Sequence, residues 1–217
     1  MSLFSISNDV GFQNQFLDSV SDNFIHHNSH FHTSSIQSIS VDQDTFDIFI
    51  TEKEIHKRMR ELAKEIERDY QGKQPIFIGL LNGAFIFMAD LIRHIHSVEV
   101  EVDFYKLSSY GDAKISSGNV HLLKSVDATL KGREVIVVED VVDSGLSITY
   151  IRNEIMTHEP KSLKFCALLY KRDVAKIDFK IDYVGFEIPK EFVIGYGLDI
   201  KQIKRNLPHI YKLRDSE

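Results

Sequence analysis

The chain has a single cysteine, Cys166, so no internal disulfide can form, and sparse cysteine fits a reducing compartment. No apolar run approaches the roughly 18 residues that a membrane-spanning helix needs. Lysine and arginine are absent from residues 1–45, which leaves out the basic n-region of a secretory signal and the arginine-rich character of an organellar transit peptide. Together these absences lead us to expect a cytoplasmic chain with no membrane partner. Basic residues are also the minority overall, 26 Lys and Arg against 32 Asp and Glu. A net charge of −6 offers a polyanion no global attraction, so nucleic acid is not an expected partner.

What is present suits one α/β domain: 217 residues with 43% hydrophobic content can bury a sizeable core. Residues 1–45 read as a polar extension, rich in Ser, Asn, Gln and Asp and without Pro, Glu, Lys or Arg. Within it Phe12, Phe16, Leu17, Val20 and Phe24 recur at helical spacing, so a short docked helix is an alternative to disorder. His26, His27, His30 and His32 cluster there with no Cys or Glu beside them, and a solvated tract is the reading we adopt.

The main body is expected over 46–217. Thr51 and Glu54 have capping-box spacing, and Ile55, Met59, Leu62, Ala63, Ile66 and Tyr70 form one apolar stripe, with Gly72 as a stop. "PIFIGLL" (75–81) is a continuous apolar run of the kind buried on both faces, and "GAFIFMADLIRHI" (83–95) follows it as a helix. "VEVEVDFYKL" (98–107) alternates, which predicts a strand with one buried face. "SSYGDAKISSGNV" (108–120) is too long and polar for a tight turn and reads as a lid-like loop. A strand over 134–138, a helix over 146–156, strands in "SLKFCALLYK", "IDYVGFEI" and "FVIGYGLD", and a polar tail complete the order. Strands alternating with helices predict a mainly parallel sheet with helices on both faces.

"VIVVEDVVDSGLSI" (135–148) carries the chemistry. In such a sheet, ligands bind at the carboxyl ends of the strands. Ser144, Gly145 and Ser147 stand on the turn into the next helix, where N–H groups and the helix dipole favour an anion. Glu139 and Asp140 are poor neighbours for a bare polyphosphate but good acceptors for paired ribose hydroxyls. The combination points to a phosphorylated ribose. Asp143, further on, is placed to act as a proton acceptor toward a reacting partner.

The same stretch resembles the phosphoribosyl pyrophosphate signature of the type I phosphoribosyltransferases. "GLLNGAFIFMADLIRHI", "SSYGDAKISSG", "DYVGFEIPKEFVIGYGLD" and "RNLPHIYKL" each resemble, in order and spacing, the hypoxanthine-guanine phosphoribosyltransferases, over about residues 46–213. The resemblance implies that family's fold, with a small hood beside the main sheet. It also implies transfer of phosphoribose from its 1-pyrophosphate to a 6-oxopurine, Mg2+ as cofactor, and a homodimer or homotetramer. Residue by residue, it places Glu139 and Asp140 on the ribose hydroxyls and at the metal, Asp143 near purine N7 as general acid/base, and Ser144, Gly145, Leu146 and Ser147 around the 5'-phosphate. It gives Lys171 to the purine 6-oxo group, Phe192 to stacking on the base, and Val193 to a backbone contact with the purine edge. Asp199 becomes the magnesium-associated aspartate, while Asn82, Gly83 and Arg205 meet pyrophosphate. Ser109 and Tyr110 fall on the family lid.

Two positions depart from many relatives. Asn82 replaces a basic residue, which leaves only the backbone role there, and Leu146 stands where some members carry Lys. A xanthine-preferring enzyme is the alternative within the family, decided by a purine panel. A non-catalytic RNA-binding or nucleotide-sensing relative is the alternative outside it, disfavoured by the intact Asp143, Lys171 and Arg205.

Overall fold

The computed structural model describes residues 37–109 and 120–215. The helix expected within 12–24, the histidine cluster and Tyr110 of the expected lid lie outside them. Strand β1 (Ser38–Val41) precedes β2 (Asp44–Ile50) and pairs with it antiparallel, from Ser38 opposite Asp47 to Val41 opposite Asp44. The folded body therefore begins before the boundary drawn at residue 45. Composition could not show this, because a short edge strand such as "SISV" is half polar.

Helix α1 (Glu52–Asp69) starts at the expected capping box: the Glu54 N–H donates to Thr51 Oγ1 at 3.3 Å, and the Thr51 N–H donates to Glu54 Oε2 at 2.9 Å. Its stripe from Ile55 to Ile66 is buried, as is Tyr70 at its end. β3 (Ile76–Leu81) then runs to α2 (Ala84–Arg93). β4 (Glu101–Ser109) and β5 (Val120–Lys124) form an antiparallel pair. β6 (Glu134–Val142) leads into α3 (Leu146–Met156), and β7 (Ser162–Tyr170) and β8 (Tyr183–Glu187) follow.

The six strands lie in the order β5-β4-β3-β6-β7-β8, parallel throughout except for β5 on one edge. Side-chain alternation divides the core. Phe77, Ile136, Val138 and Cys166 pack with α1 and α2 on one face, while Ile76, Ile78, Val135, Val137 and Ala167 pack with Ile148, Ile151 and Ile155 of α3 on the other.

Three readings are corrected. β4 does not bury one face alone: Phe104 packs toward α2's side and Tyr105 toward α3's, while Val102 is exposed. Asp103 is buried on this strand because its carboxylate accepts N–H bonds from Phe104, Asp127 and Ala128. "FVIGYGLD" keeps only β9 (Val193–Ile194), since Gly195 and Gly197 take φ of 93° and 98° and bend the chain out of a ladder. The polar tail contains β10 (Ile210–Leu213), whose Ile210 and Tyr211 are buried. β10 lies between β2 and β9 in a four-stranded antiparallel sheet, β1-β2-β10-β9, the hood.

Candidate active site

β6 continues four residues past the expected end at 138. Val141 pairs with Leu169 and Val142 with Tyr170, so the next residue on each strand, Asp143 and Lys171, are delivered side by side. The Lys171 ammonium sits 2.6 Å from Asp143 Oδ2. Lys171 is 6% exposed, whereas the Asp143 side chain is half open to solvent. A buried ammonium needs an ionised partner, and Asp143 is the one it has here.

Glu139 and Asp140 lie on β6 itself. The alternation that orders Val135 to Val138 breaks at these two residues, for Val141 packs on the α1/α2 side and Val142 on the α3 side. Both residues remain partly open, but Glu139 Oε2 is enclosed and has no hydrogen-bond partner among the described residues. Burial, reinforced by Asp140, pushes the Glu139 carboxyl well above the usual range. Burial likewise lifts Asp140 to about 6, against the Val141 N–H and Arg205, which favour its charge, while Asp199 opposes it. Two carboxylates held this way are acceptors short of donors.

The turn after Asp143 is shaped by Gly145, the N-cap of α3, at φ 87°. A Cβ there would lie 2.5 Å from Ile177 Cγ2, so glycine lets the turn rest on the 176–177 segment, where the Lys176 N–H donates to the Ser144 carbonyl at 3.0 Å. Ser144, Leu146 and Ser147 are exposed around a hollow that Glu139, Val142 and Asp143 also line. The first-turn N–H groups of α3 have no helical partners and, with the two hydroxyls, suit an anion.

A second wall comes from the turn after β3. The Leu81–Asn82 peptide is cis, Asn82 is exposed, and Gly83 is buried against Asp140. A Cβ on Gly83 would fall 1.6 Å from Asp140 Oδ2. On its other side, a Cβ on Gly197 would fall 2.3 Å from the Gly83 carbonyl oxygen. Arg205 Nη1 donates to the Gly197 carbonyl at 2.7 Å, and Nη2 lies 2.5 Å from Asp199 Oδ1. Asp199 Oδ2 accepts from the Gln202 N–H at 2.8 Å.

Asp140, Gly83, Gly197, Asp199 and Arg205 thus form one connected set, with Asn82 at its rim, and Asp143 with Lys171 forms a second. Glu139 and Ser147 line both the hollow beside the α3 turn and a second one bounded by Leu80, Leu81, Gly83, Leu107 and Asp140. Phe192 and Val193 belong to neither set of contacts. They stand on the hood, with the Phe192 ring 50% exposed and 6.1 Å from that of Phe46, and the Val193 side chain buried. Ser109 is the last residue of β4. Gly197 and Ile177 were not singled out from sequence. The alternating glycines of "GYG" were the available signal for the first, and an isoleucine among the scattered apolar residues of the 171–182 link gave none for the second.

Among the described residues no three His, Cys, Asp or Glu side chains gather as a metal cage. Hard carboxylate oxygens on Asp199, Asp140 and Glu139, one of them without a partner, do fit a Mg2+ that takes one or two carboxylates plus substrate phosphates.

Residues 50–201 match the family model described as the phosphoribosyl transferase domain. The chain is 44% identical over 167 residues to a hypoxanthine-guanine phosphoribosyltransferase of Bacillus subtilis, covering 77% of this chain and 92% of that one. It is 42% identical over 171 residues to a hypoxanthine phosphoribosyltransferase of Salmonella typhimurium, covering 78% and 96%. Among solved structures, a Bacillus anthracis hypoxanthine-guanine phosphoribosyltransferase superposes with a TM-score of 0.72 at 46% identity, over 76% of this chain and 97% of that one. A Trypanosoma cruzi hypoxanthine phosphoribosyltransferase in complex with the product IMP gives 0.72 at 38% identity, over 81% and 96%.

Proposed function

The chain belongs to the phosphoribosyltransferase family, and from that premise we propose that it transfers phosphoribose from phosphoribosyl pyrophosphate to N9 of hypoxanthine, and of guanine, forming IMP or GMP and pyrophosphate in purine salvage. The observation that carries this reading is the Lys171–Asp143 pair, set at 2.6 Å beside the Ser144–Ser147 turn. A donor and an acceptor fixed together there match the 6-oxo oxygen and the neighbouring N7 proton of a 6-oxopurine.

The turn from Ser144 to Ser147, Gly145 and Leu146 contributing backbone, receives the 5'-phosphate, and Glu139 and Asp140 accept from the ribose hydroxyls. Phe192 stacks on the base, and the Val193 backbone meets its edge. As the C1'–oxygen bond breaks, its electron pair leaves on pyrophosphate, positive charge develops on the sugar, and N9 bonds to C1'. Asp143 takes the proton that the purine gives up. The Asn82–Gly83 backbone and Arg205 meet the charge gathering on the leaving group. One or two of Asp199, Glu139 and Asp140 would hold Mg2+, together with substrate oxygens, and the ion would supply charge neutralisation on the pyrophosphate.

Lys171 explains selection against adenine: a 6-amino group cannot accept, and the buried ammonium would lose a partner. We extend the reading to a homodimer or homotetramer working in the cytoplasm, which sizing and fractionation would check. No described helix is long and apolar enough to cross a membrane. The test is a steady-state assay with Mg2+ and hypoxanthine, guanine, xanthine or adenine. Hypoxanthine and guanine turn over, and Asp143→Asn lowers kcat by on the order of 10²–10⁴. Full activity in that variant rejects the proton role, and faster turnover of xanthine than hypoxanthine replaces the substrate.

A further inference from the structure

Tyr196 has no place in the scheme above, yet its conformation is unusual. Flanked by Gly195 and Gly197, it holds φ at 50°, a left-handed backbone that a bulky L-residue rarely adopts and that persists only where its surroundings over-determine it. Those surroundings are specific. Its phenol donates to Asp90 Oδ2 on α2 at 2.8 Å, and its ring is buried, edge-on to His56 of α1 at 6.5 Å with Met59 Sδ 3.9 Å from the hydroxyl. Its backbone N–H donates to the Leu207 carbonyl at 2.9 Å.

These contacts sit between the two loops that the reaction needs in register. Toward the hood, Gly195 and Leu198 exchange N–H···O bonds of 3.0 and 3.2 Å to close a tight turn around Tyr196, and the next residue is Asp199. The Gly197 carbonyl accepts from Arg205, and the Gly197 N–H donates to the Arg205 carbonyl at 2.9 Å. Toward the sheet, α2 begins at Ala84, directly after the Asn82–Gly83 turn, and the Gly83 carbonyl is the atom that forbids a side chain at Gly197. Asp90 lies nearly two turns into that helix, so a bond from Tyr196 to Asp90 ties the Asp199–Arg205 loop to the helix that carries the 82–83 turn.

We infer that Tyr196 is a positioning residue for the pyrophosphate end of the substrate: its phenol, bonded to Asp90, keeps Asp199 and Arg205 in register with the Asn82–Gly83 turn. It touches no reacting atom. The phenol stays protonated because burial, reinforced by Asp90, holds its pKa far above neutrality, so the bond is present throughout the working pH range. The base end hangs on different contacts, the Lys171–Asp143 pair and Phe192, and this separation makes the inference testable. Distance errors near 1 Å in a catalytic constellation lower rates by about a hundredfold, so a loosened loop is felt in kinetics before it is felt in folding.

This inference rests on the proposed function, and the experiment separates the two. Wild type, Tyr196→Phe, Asp90→Ala and Asp90→Asn are assayed with phosphoribosyl pyrophosphate and hypoxanthine varied in turn, and each is melted thermally. Absence of IMP formation by wild type would overturn the proposed function itself. Given wild-type turnover, Tyr196→Phe and Asp90→Ala are expected to raise KM for phosphoribosyl pyrophosphate about tenfold while KM for hypoxanthine stays within twofold. Asp90→Asn keeps an acceptor for the phenol and is expected to restore the wild-type value. The inference is overturned if Tyr196→Phe leaves both KM values unchanged, if both rise equally, or if Asp90→Asn behaves as Asp90→Ala. Should Tyr196→Phe melt below the assay temperature, the two Asp90 variants decide by the same criterion.

Discussion

Replacing Gly83 by alanine is a test in which local and tertiary preferences carry opposite signs. Gly83, the N-cap of α2, holds φ −64° and ψ −42°, which an L-residue adopts without strain, so alanine there gains about 0.4–1 kcal/mol by restricting the unfolded chain. Against this stands the Asp140 carboxylate: the new Cβ would lie 1.6 Å from Oδ2 and 2.3 Å from Cγ, about half an ordinary contact distance. Either the carboxylate swings from its place or the 82–83 backbone moves, and overpacking of this kind costs about 1–3 kcal/mol. Gly83→Ala should therefore destabilise the wild type by about 1–2 kcal/mol net. In an Asp140→Ala background the same change should be neutral or stabilising. Urea unfolding of the two single variants, the double variant and the wild type closes the cycle. In kinetics, Gly83→Ala should raise KM for phosphoribosyl pyrophosphate, since it disturbs at once the proposed ribose acceptor Asp140 and the turn proposed to meet pyrophosphate. An equal stability cost in both backgrounds would refute the claim that Asp140 is what demands glycine.

Two further outcomes follow from the carboxylates and the lysine. The folded pKa of Asp140, about 6, lies above its unfolded value near 3.8, so the native state binds the proton more tightly and this stabilisation is lost as pH rises from about 4 to 6. Asp140→Asn should remove that component, so its stability relative to wild type should rise across the interval; parallel curves from chemical denaturation at each pH would contradict the assignment. Lys171→Met replaces a buried ammonium by an apolar chain of similar length and should leave the melting temperature unchanged or higher. Its kcat/KM for hypoxanthine should fall by on the order of 10³ or more; a loss below tenfold would remove Lys171 from base recognition.

Much of this was legible in sequence where short-range chemistry decides. Thr51 and Glu54 are three residues apart and cap α1 as their spacing says, and the apolar stripe of α1 is its buried face. The acidic strand end reads in sequence as a ribose phosphate site from residue types and order, and the strand-turn-helix context expected around it is the one the fold has. What stayed hidden depends on partners distant in sequence. Asp143 and Lys171 meet only because β6 and β7 pair in one register, which no local pattern encodes. Gly83 and Gly197 are glycines on account of atoms far along the chain, Asp140 and the Gly83 carbonyl. "SISV" and "IYKL" are strands because β2 offers an edge on each side; at four residues each they are too short to say so alone.

The hood's strand order has a consequence for how the protein is made. Its sheet places β10 between β2 and β9, so the strand that comes last completes a layer begun by the first. A chain emerging from the ribosome can pair β3, β6, β7 and β8 and form the Ser144–Ser147 turn while the hood still lacks its middle strand. Phe192, whose carbonyl accepts from the Leu213 N–H, has no fixed seat until residue 213 is out. Closure over so long a span is slow compared with local pairing. On the proposed assignment, the nascent chain thus acquires its sugar site before its platform for the base, and a chain shortened before β10 is expected to bind ribose phosphates yet fail to choose among purines.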